Sequence, residues 1–370
     1  MNNIYYENIF LYSSLQFTGN IEEYFSKHTK KLVAFVVNPR LKNKDNFIRL
    51  YNNGKLISEK KVRLSKNIFV YYFLWYMTHI RILMTYFSRK EKVVVITFHP
   101  LTFFAMNLQS MFRNIIFVYW VGDYFPPVSF PLRLFEKLKR FYNNKVKYAC
   151  YLSDEINKKM NGKILRTNER KTVMWSIMPK NIHRTPSGHH FTMLFVGVIK
   201  KNQGLEYIFE FLKTHKDYAI KIVGNCEDKL YGMFIKTIEE NEIEDRVYFP
   251  NRFFLNSELE YLSKTCHVGI ALYSTSKDGA IFYTDPGKVK TYAQFGLPII
   301  MSNIPTVAKY IKKFTCGEII DDDGVGLEYA LKKVKENYKT YTKGLKEFNN
   351  FFYYDTYFKK AFQNLESLWQ

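Results

Sequence analysis

Short runs of β-branched and aromatic residues recur along the chain, each closed by a proline, a glycine or an acid. KLVAFVVNP (31–39), KVVVITFHP (92–100) and IIFVYWVGD (115–123) are three of them, and such runs predict buried strands. Helical periodicity fills 20–30, 67–89, 101–113 and 131–145, while the hydrophilic NNGKLISEKKVRL (52–64) predicts an inserted hairpin. MPKNIHRTPSGHH (178–190) gathers Pro, Gly, Ser and His and predicts a linker. Beyond it the alternation resumes: FTMLFVGVI, helix 203–214, YAIKIVG, helix 228–241, RVYFP, helix 256–264, VGIALY, helix 287–295 and PIIMS. Strands alternating with helices predict parallel sheets covered on both faces. The expected fold class is α/β, with two Rossmann-like domains joined near residue 185.

One stretch departs from this pattern. IFVYYFLWYMTHIRILMTYF (68–87) is apolar for nearly the length of a membrane span, but His79 and Arg81 fall inside it and charge is costly at bilayer depth. It predicts a helix packed on a sheet with one aromatic face near lipid. The first residues, MNNIYYENIFLYSS, lack the charged and apolar regions of a signal peptide. Four cysteines (Cys150, Cys226, Cys266, Cys316) stand far apart with no CxxC pair. They argue against a zinc site or a disulfide framework and suit a reducing compartment.

Charge changes the picture more than composition does. The formal net charge is +21, and residues 1–180 hold 30 basic and 11 acidic residues, against 25 and 23 in residues 181–370. A strongly cationic first half points to an anionic partner, a nucleic acid or an anionic membrane surface. PLRLFEKLKRFYNNKVKYA (131–149) predicts an amphipathic helix. Leu134, Phe135, Leu138, Phe141 and Tyr142 share one face, with Arg133, Lys137, Lys139, Arg140, Lys145 and Lys147 elsewhere around it. Such a helix suits anionic lipid; the same pattern also serves a helix that turns its apolar face to the core. No RRM, KH, zinc-finger or helix-turn-helix pattern supports nucleic acid.

Candidate chemistry lies in loops after strands, where doubly wound domains bind ligands. YTDPGKVKTYAQFGLPII (283–300) reads as loop, helix, glycine turn and strand. Pro286 and Gly287 begin the helix, Gly296 ends it, and Lys288 stands where first-turn N–H groups favour an anion such as phosphate. LFVGVIKKNQGLEYIFEFL puts Gly197 at a strand end, then Lys200 and Lys201, then Gly204 opening a helix, a pattern for a diphosphate or for a plain turn with solvated lysines. His99 and Asp123 end two strands of the first half, and either could orient or deprotonate an acceptor hydroxyl. Asp123 also fits an Asx-turn before Pro126 and Pro127. DDDG (321–324) precedes VGLEYALKKV and reads as a helix N-cap rather than a metal motif. His183, His189 and His190 show no ligand spacing and are expected to be solvated.

The ordered series LFVGVIKKNQGLEYIFEFL, IKIVGN, RVYFPNRFFLNSELEYLSKTCHVGIALY and DPGKVKTYAQFGLPIIMSNIPTVAKYI resembles the C-terminal half of GT-B glycosyltransferases of the family-4 type. Pro286, Lys288, Tyr292, Gly296 and Pro298 match that family's block after the donor-sugar loop. LYSSLQFTGNIEEYF resembles its opening loop, with Gly19 as the close-approach glycine, and VVVITFHP resembles the strand that ends in its histidine, here His99. The resemblance implies an acceptor-binding domain at 1–183, a nucleotide-sugar domain at 184–345, and a C-terminal helix at 346–370 returning to the first domain. It implies a central cleft toward which His99 and Asp123 face. Tyr283 and Thr291 stand where many members carry two glutamates, and Val198 and Gln203 replace a usual arginine and lysine. Lys200, Lys201, Lys288 or Arg252 would supply the lost positive charge. What is implied is a hexosyltransferase using a nucleotide diphosphate sugar, without metal or other cofactor. It would act on a lipid-linked or growing glycan in bacterial surface polysaccharide synthesis, at the inner, cytoplasmic face of the membrane. The alternatives are a GT-B pseudo-enzyme that binds a partner or glycan, and a sugar-nucleotide epimerase.

Overall fold

The computed structural model describes residues 4–13, 20–37, 45–180, 189–201, 203–273, 279–321 and 326–367. The chain divides into two compact units, Met1–Ser176 with Tyr354–Gln370, and Ile177–Tyr353. The sequence placed the joints near residues 183 and 345.

The first unit contains β1 (Tyr6–Ser13), α1 (Ile21–His28), β2 (Thr29–Val36), β3 (Asn46–Asn52), β4 (Lys55–Val62), α2 (Ile68–Tyr86), β5 (Val93–Thr97), α3 (Pro100–Ser110), β6 (Ile115–Val121), α4 (Phe130–Lys145), β7 (Tyr148–Tyr151), α5 (Asp154–Asn161) and β8 (Arg170–Thr172). Its sheet runs β4-β3-β2-β1-β5-β6-β7-β8. β2, β1, β5, β6, β7 and β8 are parallel, and β3 and β4 add an antiparallel hairpin at one edge. The expected hairpin is therefore present but longer, since β3 begins at Asn46. It turns at Asn53-Gly54, both with positive φ, the signature of a tight hairpin turn.

Alternation along the strands sends one set of side chains to each helical layer. Phe10, Tyr12, Val33, Phe35 and Val95 pack with Trp75, Ile82 and Leu83 of α2 and Ala105 and Met106 of α3. α4 joins this layer through Tyr142, whose ring lies 4.6 Å from Phe103. On the other face, Tyr24 and Phe25 of α1 and Trp120 of β6 meet Phe358 and Phe362. Those two belong to α13 (Tyr354–Glu366), which the chain supplies after the whole second unit.

α2 is 19 residues long. Among the described residues no helix is long and apolar enough to cross a membrane, so 68–87 is a helix on a sheet. α4 corrects the amphipathic expectation: its buried residues are Glu136, Lys139, Tyr142 and Asn143, whereas Leu134 and Phe141 are exposed. Lys139 is an inward residue, not a surface cation. The inversion has a physical cause, because Glu136 and Lys139 form a buried ion pair at 2.8 Å and Asn143 accepts from the Tyr151 hydroxyl at 2.8 Å. Polar groups paired in this way can be buried.

The second unit contains β9 (Phe191–Val196), α6 (Leu205–Thr214), β10 (Tyr218–Val223), α7 (Asp228–Glu240), β11 (Val247–Tyr248), α8 (Asn256–Ser263), β12 (Val268–Ala271), α9 (Gly287–Gln294), β13 (Ile299–Ser302), α10 (Pro305–Phe314), β14 (Gly317–Ile320), α11 (Leu327–Glu336) and α12 (Tyr338–Phe351). The sheet order is β11-β10-β9-β12-β13-β14, and every pairing is parallel. Numbered from its first strand this is the order 3-2-1-4-5-6, whose connections reverse direction between β9 and β12. Met193, Phe195, Ile220, Ile222, Ile270 and Ile300 form the core with Leu205, Ile208 and Leu331.

Candidate functional site

Open parallel sheets bind ligands at the carboxyl ends of the two strands that flank the reversal. In the second unit those ends are Val196–Gly197 after β9 and Leu272–Tyr273 after β12. α9 is tied there by Tyr292, whose hydroxyl accepts from the Val196 N–H at 3.0 Å and donates to the Ile270 carbonyl at 2.8 Å. The Tyr292 ring also occupies the space above Gly269, where a Cβ would approach it to 2.2 Å. Gly296, with φ +69°, closes the helix. The Leu297 N–H bonds to the Tyr292 carbonyl and the Gly296 N–H to that of Ala293, which is the Schellman arrangement. The plain reading of Gly296 as a helix stop is correct.

Two lysines in the first turns of α9 have opposite fates. Lys290 is buried and bonds both oxygens of buried Asp285, at 3.0 and 2.9 Å. Lys288, nearly half a turn away around the helix, is half-buried as a residue, but its Nζ is buried and has no hydrogen-bond partner among the described residues. The ammonium lies 3.7 Å from the centre of the Phe195 ring and 5.0 Å from that of Tyr273, one residue from each flanking strand end. Burial pushes its pKa down to about 7. A buried ammonium without a counter-charge is costly, and it is aimed at the point where the fold binds ligands.

Glycine backbone lies beside it. Gly197 has φ +127°, and a Cβ there would sit 3.5 Å from Lys288 Cε. Gly224, after β10, has φ +149°, and a Cβ would lie 1.8 Å from the Gly197 carbonyl oxygen. Pro286 is the N-cap of α9, so Lys288 is the second residue of the helix. The other expected donor contacts are less concentrated. Lys200 and Lys201 are exposed. Arg252 is exposed too, pairs with Glu258 at 2.8 Å and lies over the Phe254 ring, so its charge is engaged. The half-buried Thr291 spends its hydroxyl proton on the Gly287 carbonyl at 3.2 Å, and Tyr283 is buried in a single 3-10 turn. Gly19 lies outside the described residues, as do His183 and Asp322, Asp323 and Gly324 of the DDDG run. His189 is exposed and His190 half-buried.

The sheet of the first unit reverses between β1 and β5, and His99 follows β5. It is the N-cap of α3: its Nδ1 accepts from the Leu101 N–H at 3.2 Å. Its ring sits 5.7 Å from Trp75 and 6.4 Å from Tyr12. Burial, with the Lys139 charge, lowers its pKa to about 4. A neutral imidazole accepting at Nδ1 carries its proton on Nε2. His99 is thus built to donate a hydrogen bond rather than to take a proton. Asp123 follows β6 with its side chain exposed, and its backbone carbonyl accepts from Lys139 Nζ. Glu136 accepts from the Phe125 N–H at 3.2 Å, so the buried pair of α4 holds the loop that carries Asp123. Spacing alone missed Asp285, Lys290, Glu136 and Lys139; a buried partner is invisible to pattern reading.

Among the described residues no group of three or more His, Cys, Asp or Glu side chains is placed to hold a metal ion. No protein-family model matches the sequence. A comparison with curated proteins finds no match either. Solved structures do match over nearly the whole chain. Sucrose-phosphate synthase from Thermosynechococcus elongatus is similar with a TM-score of 0.70 and 11% identity, covering 98% of this chain and 99% of that one. HepE from Anabaena, solved with UDP, gives 0.65 and 10%, covering 98% and 100%. The lipopolysaccharide outer core galactosyltransferase WaaB gives 0.62 and 15%, covering 97% and 98%. These likenesses establish the fold: the protein has the GT-B architecture of glycosyltransferases, two Rossmann-like units of α/β class.

Proposed function

We propose that the protein is a glycosyltransferase of the hexosyltransferase type that takes its sugar from a nucleotide diphosphate donor held by the second unit. The observation that carries this reading is Lys288, whose buried ammonium has no hydrogen-bond partner among the described residues and lies at the strand ends where such a sheet binds ligands; HepE, a neighbour of the same fold, was solved with UDP. The diphosphate supplies the missing anion. Lys288 and the first-turn N–H groups of α9 after Pro286 stabilise it, and Gly197 lets its oxygens approach the backbone. Lys200 and Lys201 extend the positive charge around it, and Tyr283 and Thr291 flank the sugar and ribose. No metal is needed in this arrangement.

In the transfer step the bond between the sugar C1 and the diphosphate oxygen breaks, and the electron pair leaves with the nucleotide diphosphate. The acceptor hydroxyl forms the new bond to C1 and gives up its proton. His99, donating through Nε2, orients a sugar oxygen, and Asp123 receives the proton. The acceptor is a lipid-linked or growing glycan of a bacterial surface polysaccharide. The cationic first half brings the protein to the anionic cytoplasmic face of the membrane, where such acceptors reside, and nucleic acid is not a partner. One observation favours a second reading, a GT-B pseudo-enzyme that binds a partner or glycan: Tyr283 and Thr291 replace two expected glutamates.

Calorimetric titration with UDP and other nucleoside diphosphates, for the natural protein and Lys288→Ala, tests the donor site. Binding that the variant loses supports it, and no response to any nucleotide refutes it. Consumption of a bound nucleotide sugar only when a glycan acceptor is added separates the transferase from the pseudo-enzyme.

A further inference from the structure

The helical layer formed by α2, α3 and α4 turns apolar side chains outward on all three helices. On α2, Phe69, Phe73 and Met77 follow one another at four-residue intervals, and Phe69 is 83% exposed. α3 presents Phe104 and Leu108, with Met111 at its C-cap. α4 presents Phe130, Leu134 and Phe141. The helices are neighbours, since His79 of α2 lies 3.4 Å from the Thr102 hydroxyl of α3 and the Phe103 ring of α3 lies tilted against that of Tyr142 of α4. Exposed apolar residues are ordinary when scattered; a run of them across three adjacent helices marks an interaction surface.

The charges on this layer decide what the surface meets. α2 and α3 contain no acidic residue, and the one acid of α4, Glu136, is buried against Lys139. The outward charges of the three helices are Arg81, Arg133, Lys137, Arg140 and Lys145, all exposed and all positive. A second copy of the chain docked by two-fold symmetry would set these cations against one another, which is destabilising. An anionic bilayer accepts both features at once, the cations at the headgroups and the aromatic and Met side chains at the acyl boundary.

We infer that the outer face of α2, α3 and α4 is a monotopic membrane-insertion surface for anionic lipid, with the Phe69–Phe73–Met77 stripe of α2 as its inserting edge. The inference rests on the membrane part of the proposed function. It differs from adsorption by charge on α4 alone: the anchor is apolar, and the basic residues flank it. Binding by charge fades when salt screens the surface, whereas apolar insertion persists.

The test is flotation of the full chain with vesicles of equal parts phosphatidylglycerol and phosphatidylcholine, at low and high salt. The natural protein is expected to float at both. Phe69→Ser with Phe73→Ser and Met77→Ser is expected to lower partition by about tenfold or more at high salt, with its unfolding midpoint and UDP response unchanged. Leu255→Ser with Tyr261→Ser, which removes exposed apolar groups from the second unit, is expected to change nothing. If the natural protein floats and the triple variant floats equally at high salt, the insertion surface is refuted while membrane binding stands. If the natural protein floats with no vesicle, the membrane reading itself fails, and the surface with it. Sedimentation showing an oligomer that the triple variant dissolves would assign the face to a second copy and also refute the inference.

Discussion

Lys288→Met replaces a buried, unpartnered ammonium with an apolar side chain of similar length, and it has opposite consequences for stability and for binding. Burial holds the Lys288 pKa near 7 instead of 10.5. The folded protein therefore binds fewer protons at this site than the unfolded chain between those two values, and stability rises with pH across that window. Below about pH 7 the site carries its full cost, which the pKa difference sets at about 5 kcal/mol. At pH 9 the remaining cost is about 2 kcal/mol. Scanning calorimetry should show the variant more stable than the natural protein, with a gain that is largest below pH 7 and shrinks toward pH 10. Binding should move the other way. A diphosphate keeps the ammonium protonated, so titrations above pH 7 in buffers of different ionisation enthalpy should reveal proton uptake. Loss of one member of a buried charge pair costs about 2–5 kcal/mol, so the UDP affinity of the variant should fall by about thirtyfold or more. A variant that melts earlier at every pH and binds UDP as tightly as before, without proton uptake in the natural protein, would refute the reasoning.

Three further outcomes follow from named contacts. Gly224→Ala puts a Cβ 1.8 Å from the Gly197 carbonyl at a φ of +149°; calorimetry should show a loss of about 3 kcal/mol or more together with loss of UDP binding. Lys139→Met leaves Glu136 charged and buried and should cost about 3–5 kcal/mol in denaturant unfolding, whereas Lys137→Glu on the exposed face should change stability by less than about 0.5 kcal/mol. His99, with its pKa lowered to about 4, binds fewer protons folded than unfolded between 4 and 6.5. Its contribution of about 3 kcal/mol is full above pH 6.5 and is lost as pH falls toward 4; NMR titration should find its ring neutral at pH 6.

Much of this architecture was legible because strand residues in a parallel sheet must be apolar on both faces. VVVIT and FTMLFV leave little choice, and glycines at the strand ends mark where the backbone turns. Asp154 and Glu155 after Ser153 mark a helix start, and the Ser153 hydroxyl accepts from the Ile156 N–H at 3.0 Å. Lys288 could be placed at a helix start from Pro286 and Gly287, but its isolation could not, because it depends on Asp285 turning to Lys290 instead. α4 misled for a related reason: a pattern of apolar residues cannot show that Glu136 and Lys139 neutralise one another and turn inward. In α2 the apolar residues go all round the helix, so sequence alone gave no way to tell Trp75, which faces the sheet, from Phe73, which faces outward. Arg252 looked available as a cation until Glu258, six residues on, was found to hold it.

The placement of α13 bears on how the chain is made. Phe358 and Phe362 fill the aromatic layer against Tyr24, Phe25 and Trp120, yet the whole second unit is translated before them. During synthesis the second unit has all its own strands while the first still exposes an aromatic floor. The amino-terminal half is thus the last to be completed, contrary to the usual order in which domains finish from the amino end. A released chain truncated after Tyr353 should hold a folded second unit and a first unit open to proteases, which limited proteolysis would show.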